Sequence, residues 1–255
     1  MEIIQSKSLL AKLMATENLT VEERNVQTAS FDVKNRVLTI PKLDKDISGY
    51  LYDLFVGHEV GHALYTPLEG INKAIDLKLD LSVMNVLEDS RIERKIKNKY
   101  PGIRISFVKG YRELIEKDFF GTKGVDFNEL NFIDRVNMFT KGGATQGIKF
   151  TEEERKLVDE IESTETYDDV IAIAQKVCKY MEEEKEAKAK MKLQFADEDS
   201  QDEIDSDDLN NSDDFDNELD ESFSSQSQND IDESMDEIES QLQNETITTI
   251  VGTVE

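Results

Sequence analysis

The distribution of charge limits how much of this chain can fold into a compact domain. The segment from Leu193 to Glu255 contains 22 aspartates and glutamates and no lysine or arginine. Between Ala196 and Ser240 nearly all residues are polar or acidic, so this stretch buries too little apolar surface to offset the entropy of ordering. We therefore expect a folded domain over 1–192, a disordered acidic linker or tail over 193–245, and a β-prone terminal segment over 246–255.

Charge, apolar content and cysteine count exclude several classes of partner and cross-link. Residues 1–192 carry 34 acidic and 30 basic side chains, so no excess of positive charge is left to bind nucleic acid. No apolar run approaches the roughly 20 residues that cross a bilayer, and the N-terminus lacks a signal peptide. A single cysteine, Cys178, excludes an internal disulfide framework. We expect a cytoplasmic protein without a membrane partner, and the acidic tail leaves room for a protein partner.

Local sequence patterns predict an α+β fold that is mostly helical. The run from Thr28 to Lys42 reads as two strands joined by a turn at Lys34–Arg36, which gives a small N-terminal β-hairpin or sheet. The segment Thr246–Val254 reads as a strand without a partner, as though a further domain followed. Apolar periodicity and capping residues predict helices over 3–14, 48–66, 77–99, 111–120, 127–140, 151–163 and 167–190.

The sequence GHEVGHALYTP, from Gly57 to Pro67, contains both histidines of the chain, His58 and His62. Residues four apart lie on one face of a helix, so both imidazoles can bind one cation while Glu59 reaches a water on it. Nitrogen ligands and an open fourth position suit catalytic zinc. Gly57 and Gly61 would allow another element to approach closely. The alternative is a pair of partly buried histidines without a metal.

A third ligand must be an acid or the cysteine, because no other histidine exists. The helix that contains MNVLEDSRIERK has an apolar stripe of Leu81, Met84, Ile92 and Ile96, with Glu88 in its gap. A buried carboxylate there needs a cation as its partner. This partner is either the metal or an arginine such as Arg91 or Arg94. Asp89 and Glu93 fall on a flank, where they orient ligands or face solvent.

The hairpin, the HEVGH motif and the NVLEDSRIE segment about 25 residues later resemble gluzincin-type metallopeptidases. More narrowly, residues 31–100 are similar to metallopeptidase-like proteins of bacteria and tailed phages that carry a von Willebrand factor type A domain and are related to a cobaltochelatase subunit. The resemblance implies a zincin-like domain with Zn²⁺ held by His58, His62 and Glu88, and Glu59 as general base. It also implies the host cytoplasm if the chain is phage-encoded. Family members continue past an acidic linker into a DxSxS module, which we expect this chain to lack.

Two functions follow as hypotheses. The first is a zinc-dependent peptidase, a hydrolase that acts on a protein or peptide substrate through a metal-activated water. For its transition-state oxyanion the sequence offers Tyr65, Tyr111 and Arg112 as candidates. The second is a non-catalytic, zinc-stabilised adaptor whose acidic tail recruits a partner such as a ring ATPase, as the family resemblance suggests.

Overall fold

A computed structural model describes the chain over residues 11–12, 14–26, 28–42, 47–143, 146–198 and 248–250. The chain divides into two compact units, one of residues 1–178 with 246–254 and one of residues 179–245 with 255. Most of the helix predicted over 3–14, and almost all of the tail predicted to be disordered, lie outside the described residues.

The first unit contains a four-stranded sheet in the order β1-β3-β2-β4. The strands β2 (Ser30–Asp32) and β3 (Val37–Pro41) form the predicted antiparallel hairpin. Its turn is closed by Asp32, whose Oδ1 accepts a hydrogen bond from the amide of Asn35 at 2.8 Å. The first strand, β1 (Thr20–Arg24), pairs in parallel with β3.

Two features of the sheet differ from the sequence-based expectations. The sequence analysis did not predict β1, whose residues TVEER lack a clear apolar alternation and are mostly half-buried. The terminal strand β4 (Thr248–Ile250) was expected to have no partner, yet it pairs antiparallel with β2 and extends the N-terminal sheet. Pairing between segments more than 200 residues apart leaves no local signal, because it depends on the edge that β2 exposes.

The other regular elements of the described residues are helices, which confirms the mostly helical α+β class. Ser48 caps the first long helix through a 3.1 Å hydrogen bond from the amide of Leu51. The predicted capping box of Thr151 and Glu154 is present. The helices are α1 (Gly49–Tyr65), α2 (Leu68–Asp76), α3 (Leu81–Lys99), α4 (Arg104–Glu116), α5 (Phe132–Gly142), α6 (Glu152–Ser163) and α7 (Tyr167–Glu198).

Several helix boundaries differ from those predicted. Helix α2 was not expected, because Pro67 was taken only as the end of α1. Pro67 is also the N-cap of this new helix, which begins at Leu68. Helix α3 begins after Asp80, whose carboxylate caps the amides of Ser82 and Val83. Helix α4 begins at Arg104, well before the predicted start at Tyr111.

Helix α1 lies at the centre of the first unit and is buried on almost every side from Leu51 to His62. Its glycines permit this packing, as the sequence suggested. A Cβ atom at Gly61 would lie 2.8 Å from Ile92 Cδ1 of α3, and one at Gly57 would collide with Ile103. The close approach of α3 brings its polar residues to the histidines. Among the described helices, none is both long and apolar enough to cross a membrane.

Candidate metal centre

Three donor atoms from α1 and α3 converge at one buried point. His62 Nε2 lies 3.2 Å from His58 Nε2, and Asp89 Oδ1 lies 3.4 Å from His58 Nε2 and 3.2 Å from His62 Nε2. All three side chains are almost completely buried. Two imidazole nitrogens and one carboxylate oxygen at these separations form a group that can hold a metal ion.

His58 is oriented by a carboxylate on the same helix that supplies Asp89. Its Nδ1 lies 3.1 Å from Glu93 Oε1, and Glu93 also binds Lys97 at 3.1 Å and accepts a hydrogen bond from the Tyr111 hydroxyl. Burial alone would raise the pKa of Glu93, but the charge of Lys97 and the contacts with His58 lower it to about 2. Glu93 is therefore an anion that holds the Nδ1 proton of His58 and directs Nε2 toward Asp89.

His62 is oriented by a second chain of hydrogen bonds. Its Nδ1 lies 2.9 Å from Thr66 Oγ1, and the Thr66 hydroxyl donates to Glu88 Oε1 at 2.5 Å. Because the hydroxyl proton is directed at Glu88, the Thr66 oxygen accepts, and His62 Nδ1 must be the donor. The lone pair of His62 Nε2 therefore points toward His58 and Asp89, as it does in a metal ligand.

The third acid beside the histidines is Asp89, whereas the sequence analysis expected Glu88. Glu88 instead forms a buried, two-pronged ion pair with Arg91, with Nε–Oε2 at 2.8 Å and Nη2–Oε1 at 2.7 Å. This is the arginine pairing that the sequence left open as an alternative. Glu88 contacts the histidines only indirectly, because its hydrogen bond is to Thr66, which in turn contacts His62.

The physical reason for this difference lies in the burial of α3. Every residue from Val86 to Glu93 is buried, so acids in that segment face the protein interior in several directions. Leu81, which began the proposed apolar stripe, is 38% exposed. An apolar stripe therefore could not identify the face of α3 that contacts α1.

A buried lysine that the sequence analysis did not single out completes the surroundings of Asp89. Lys141, on α5, places Nζ 3.3 Å from Asp89 Oδ2, with both side chains 1% exposed. Burial alone would raise the pKa of Asp89, but the charges of His58 and Lys141 and the histidine hydrogen bonds hold it well below its usual range. The Lys141 ammonium thus pairs with Oδ2 of Asp89, whereas the histidines contact Oδ1.

The buried carboxylates around the two histidines favour a positive charge at the centre of the site. Burial alone would lower the pKa of His58, but the charge of Asp89 and hydrogen bonds with Asp89 and Glu93 raise it to about 10. Without a metal, this imidazole therefore takes a proton at neutral pH. A divalent cation held by His58, His62 and Asp89 would supply this positive charge in place of the proton.

The spacing of the donors fits a tetrahedral ion. Ligands about 2.0–2.1 Å from a tetrahedral centre lie roughly 3.3–3.4 Å apart, close to the three observed separations of 3.2, 3.2 and 3.4 Å. An octahedral ion with the same bond lengths separates neighbouring ligands by only about 2.8–3.0 Å. The spacing of these three donors is therefore closer to that of a tetrahedral ion than to that of an octahedral one, and three protein ligands would leave one tetrahedral position open.

Glu59, between the two histidines, is fully buried. Burial and the charges of Glu93 and Asp89 raise the pKa of Tyr111, and Glu59 adds a smaller contribution. Against the effect of burial, Asp89 and Glu93 raise the pKa of His58, and the charge of Glu59 likewise adds to their effect. Glu59 thus lies within electrostatic range of the metal group without being one of its three donors. Its role as a general base stays a prediction.

The three expected oxyanion candidates lie in different surroundings. Tyr111 is buried and its hydroxyl donates to Glu93, so it supports His58. Tyr65 packs under the Lys95 ammonium, 5.5 Å from the ring centre. Arg112 is exposed on the wall of a cleft. Thr66 was missed by the sequence analysis, although it follows His62 by four residues and so continues the spacing of the two histidines.

The metal group is closed to solvent. His58, Glu59, His62 and Asp89 are each at most 1% exposed. A neighbouring cleft reaches as far as Glu93, Tyr111 and Lys141, which form part of its wall.

Comparisons with models of protein families, with curated proteins and with solved structures find no match to this chain.

Proposed function

We propose that this protein is a zinc-dependent peptidase in which His58, His62 and Asp89 hold the metal and Glu59 is the general base. The observation that carries the proposal is the near-equilateral triangle of two imidazole nitrogens and one carboxylate oxygen. Its spacing suits tetrahedral zinc with an open position, and the HExxH helix places a glutamate beside the first ligand.

Zinc in such a site lowers the pKa of water to about 7 and polarises a carbonyl oxygen. The carboxylate of Glu59 would take a proton from the attacking water and deliver it to the departing amine nitrogen. Glu93 and Thr66 keep the imidazoles in the required tautomers through their Nδ1 contacts. Lys141 binds the outer oxygen of Asp89 and leaves Oδ1 for the metal.

The second candidate is a zinc-stabilised adaptor without catalysis, and the burial of the centre favours it. Zinc would then join α1 to α3, and the fully buried Glu59 would serve only the charge balance. A purely structural zinc site normally has four protein ligands, and only three donors form this group among the described residues. The missing fourth protein donor favours the peptidase over the adaptor.

The variant Glu59→Gln tests the proposal, because it keeps the size of the side chain and removes the base. We expect zinc content to be unchanged and cleavage of a peptide library, followed by mass spectrometry, to fall about 10²–10⁴-fold. Glu69→Gln, at an exposed position of α2, is the matched control and should cleave normally. Zinc-loaded wild-type protein that cleaves no peptide would support the adaptor instead.

A further inference from the structure

The cleft beside the metal centre has a volume of about 750 Å³ and lies between α3, α4 and α5. Cavities that bind small ligands measure about 300–1,000 Å³. Glu93, Tyr111 and Lys141 belong both to its wall and to the surroundings of the metal group. A ligand in this cleft would therefore lie next to the proposed catalytic centre.

The charge of the cleft is opposite to that of the chain. The whole chain has a net charge of −26, whereas basic residues outnumber acidic ones in the lining. The acidic lining residues are Glu93, Glu116 and Glu162. The basic lining residues are Arg94, Lys97, Arg104, Arg112 and Lys141.

Two of the arginines carry charge that no carboxylate in the described part of the chain neutralises. Arg104 donates only to neutral acceptors, the carbonyl of Lys97 at 3.0 Å and Asn98 Oδ1 at 2.6 Å. Arg112 is exposed and forms no ion pair with a described residue. Both lysines of the lining, by contrast, are within 3.3 Å of a carboxylate.

The cleft also offers apolar surface. Val108, between the two arginines in sequence, is 60% exposed, and Ile115 on the same helix is half-buried in the lining. Guanidinium groups bind carboxylates through paired hydrogen bonds. Arginines beside exposed aliphatic side chains therefore suit a polypeptide with acidic residues better than a small inorganic anion.

We propose that this cleft binds an acidic segment of a polypeptide, with Arg104 and Arg112 paired to its carboxylates. The substrate class of the peptidase would then be acidic polypeptide, and this second statement rests on the proposed function. Binding itself does not, since it depends only on the lining of the cleft.

Fluorescence anisotropy with three labelled octapeptides tests the proposal. The peptides are identical except at four positions, which are all Glu, all Gln or all Lys. The full chain carries Glu59→Gln so that no peptide is cleaved during the measurement. At about 0.15 M salt, charges more than about 8 Å from the peptide are largely screened, and a control variant reports any remaining effect of net charge.

We expect the Glu peptide to bind about tenfold more tightly than the Gln peptide, and the Lys peptide to bind most weakly. Arg104→Glu and Arg112→Glu should each weaken binding of the Glu peptide about fivefold or more, since each replaces one arginine–carboxylate attraction by a repulsion. Lys156→Glu is the matched control, because it makes the same change of charge at an exposed position of α6 outside the lining. It should change the affinity less than twofold.

Equal affinity for the Glu and Gln peptides would overturn the proposal, as would no binding up to about 1 mM, which corresponds to only about 4 kcal/mol. An equal effect of Lys156→Glu would also overturn it, because attraction would then reflect net charge alone. The expected binding pattern in a protein that cleaves nothing would leave the cleft assignment intact and reject the peptidase.

Discussion

Exchanging Asp89 and Glu88 separately for their amides should separate metal binding from folding stability. Asp89 Oδ1 lies 3.2–3.4 Å from both histidine donors, so Asp89→Asn removes an anionic ligand from a set of three. Glu88 touches no donor atom of the group and instead neutralises Arg91 at 2.7 Å. Glu88→Gln therefore removes a buried charge partner and leaves the ligand set complete.

The magnitudes follow from these contacts. Zinc in a four-ligand protein site binds with about 10–16 kcal/mol in total, or roughly 3 kcal/mol per ligand, so Asp89→Asn should weaken zinc about 10²-fold or more. Removing one partner of a buried ion pair costs about 3–5 kcal/mol of stability. Glu88→Gln should thus lower the melting temperature of the metal-free protein strongly, while its effect on zinc, through Thr66 and His62, stays within about 10–100-fold.

Two measurements on the same samples provide the test. Competition with a fluorescent chelator gives the zinc affinity, and thermal unfolding by circular dichroism in excess chelator gives the stability of the metal-free protein. A larger loss of zinc affinity in Glu88→Gln than in Asp89→Asn would refute the assignment of Asp89. It would mean that α3 presents to α1 the face that the apolar stripe suggested.

Three further predictions concern single sites. Glu93→Gln should weaken zinc about 10–100-fold in the chelator assay, because it weakens the contact that orients His58; unchanged affinity would exclude this role. Gly61→Ala should lower the free energy of unfolding, measured by chemical denaturation, by about 1–3 kcal/mol, because the added Cβ would lie 2.8 Å from Ile92 Cδ1. Gly49→Ala is the control and should cause no such loss, because no neighbouring side chain lies within 4 Å of the added Cβ. Burial raises the pKa of Asp134 from 3.8 to about 6, so its ionisation costs folding stability progressively between these two pH values and by a constant amount at higher pH. Asp134→Asn should therefore raise the melting temperature at pH 8 more than at pH 5, and an equal gain at both would contradict this.

Local signals were sufficient for much of the fold. Ser48, Thr151 and Glu154 begin their helices as the sequence predicts, because a cap and its amide partner lie within three residues of each other. The β2–β3 hairpin was predictable for the same reason, since its turn is closed by contacts between Asp32 and Asn35. The pairing of β1 with β3 and of β4 with β2 joins distant segments and was not predictable.

The sequence by itself determined the helix face that carries His58 and His62, because the helical repeat alone places residues four apart on one side. It also limited the third ligand to an acid or the cysteine, since the chain has no third histidine, and it indicated α3 as the source. Only the tertiary structure decided that this acid is Asp89 and that Lys141 and Thr66 support the centre. The rotation of α3 about its axis depends on packing against α1 at Gly61, and adjacent residues of a helix differ by about 100° in direction. The difference between Glu88 and Asp89 is therefore one helical step, which the packing of α3 against α1 decides.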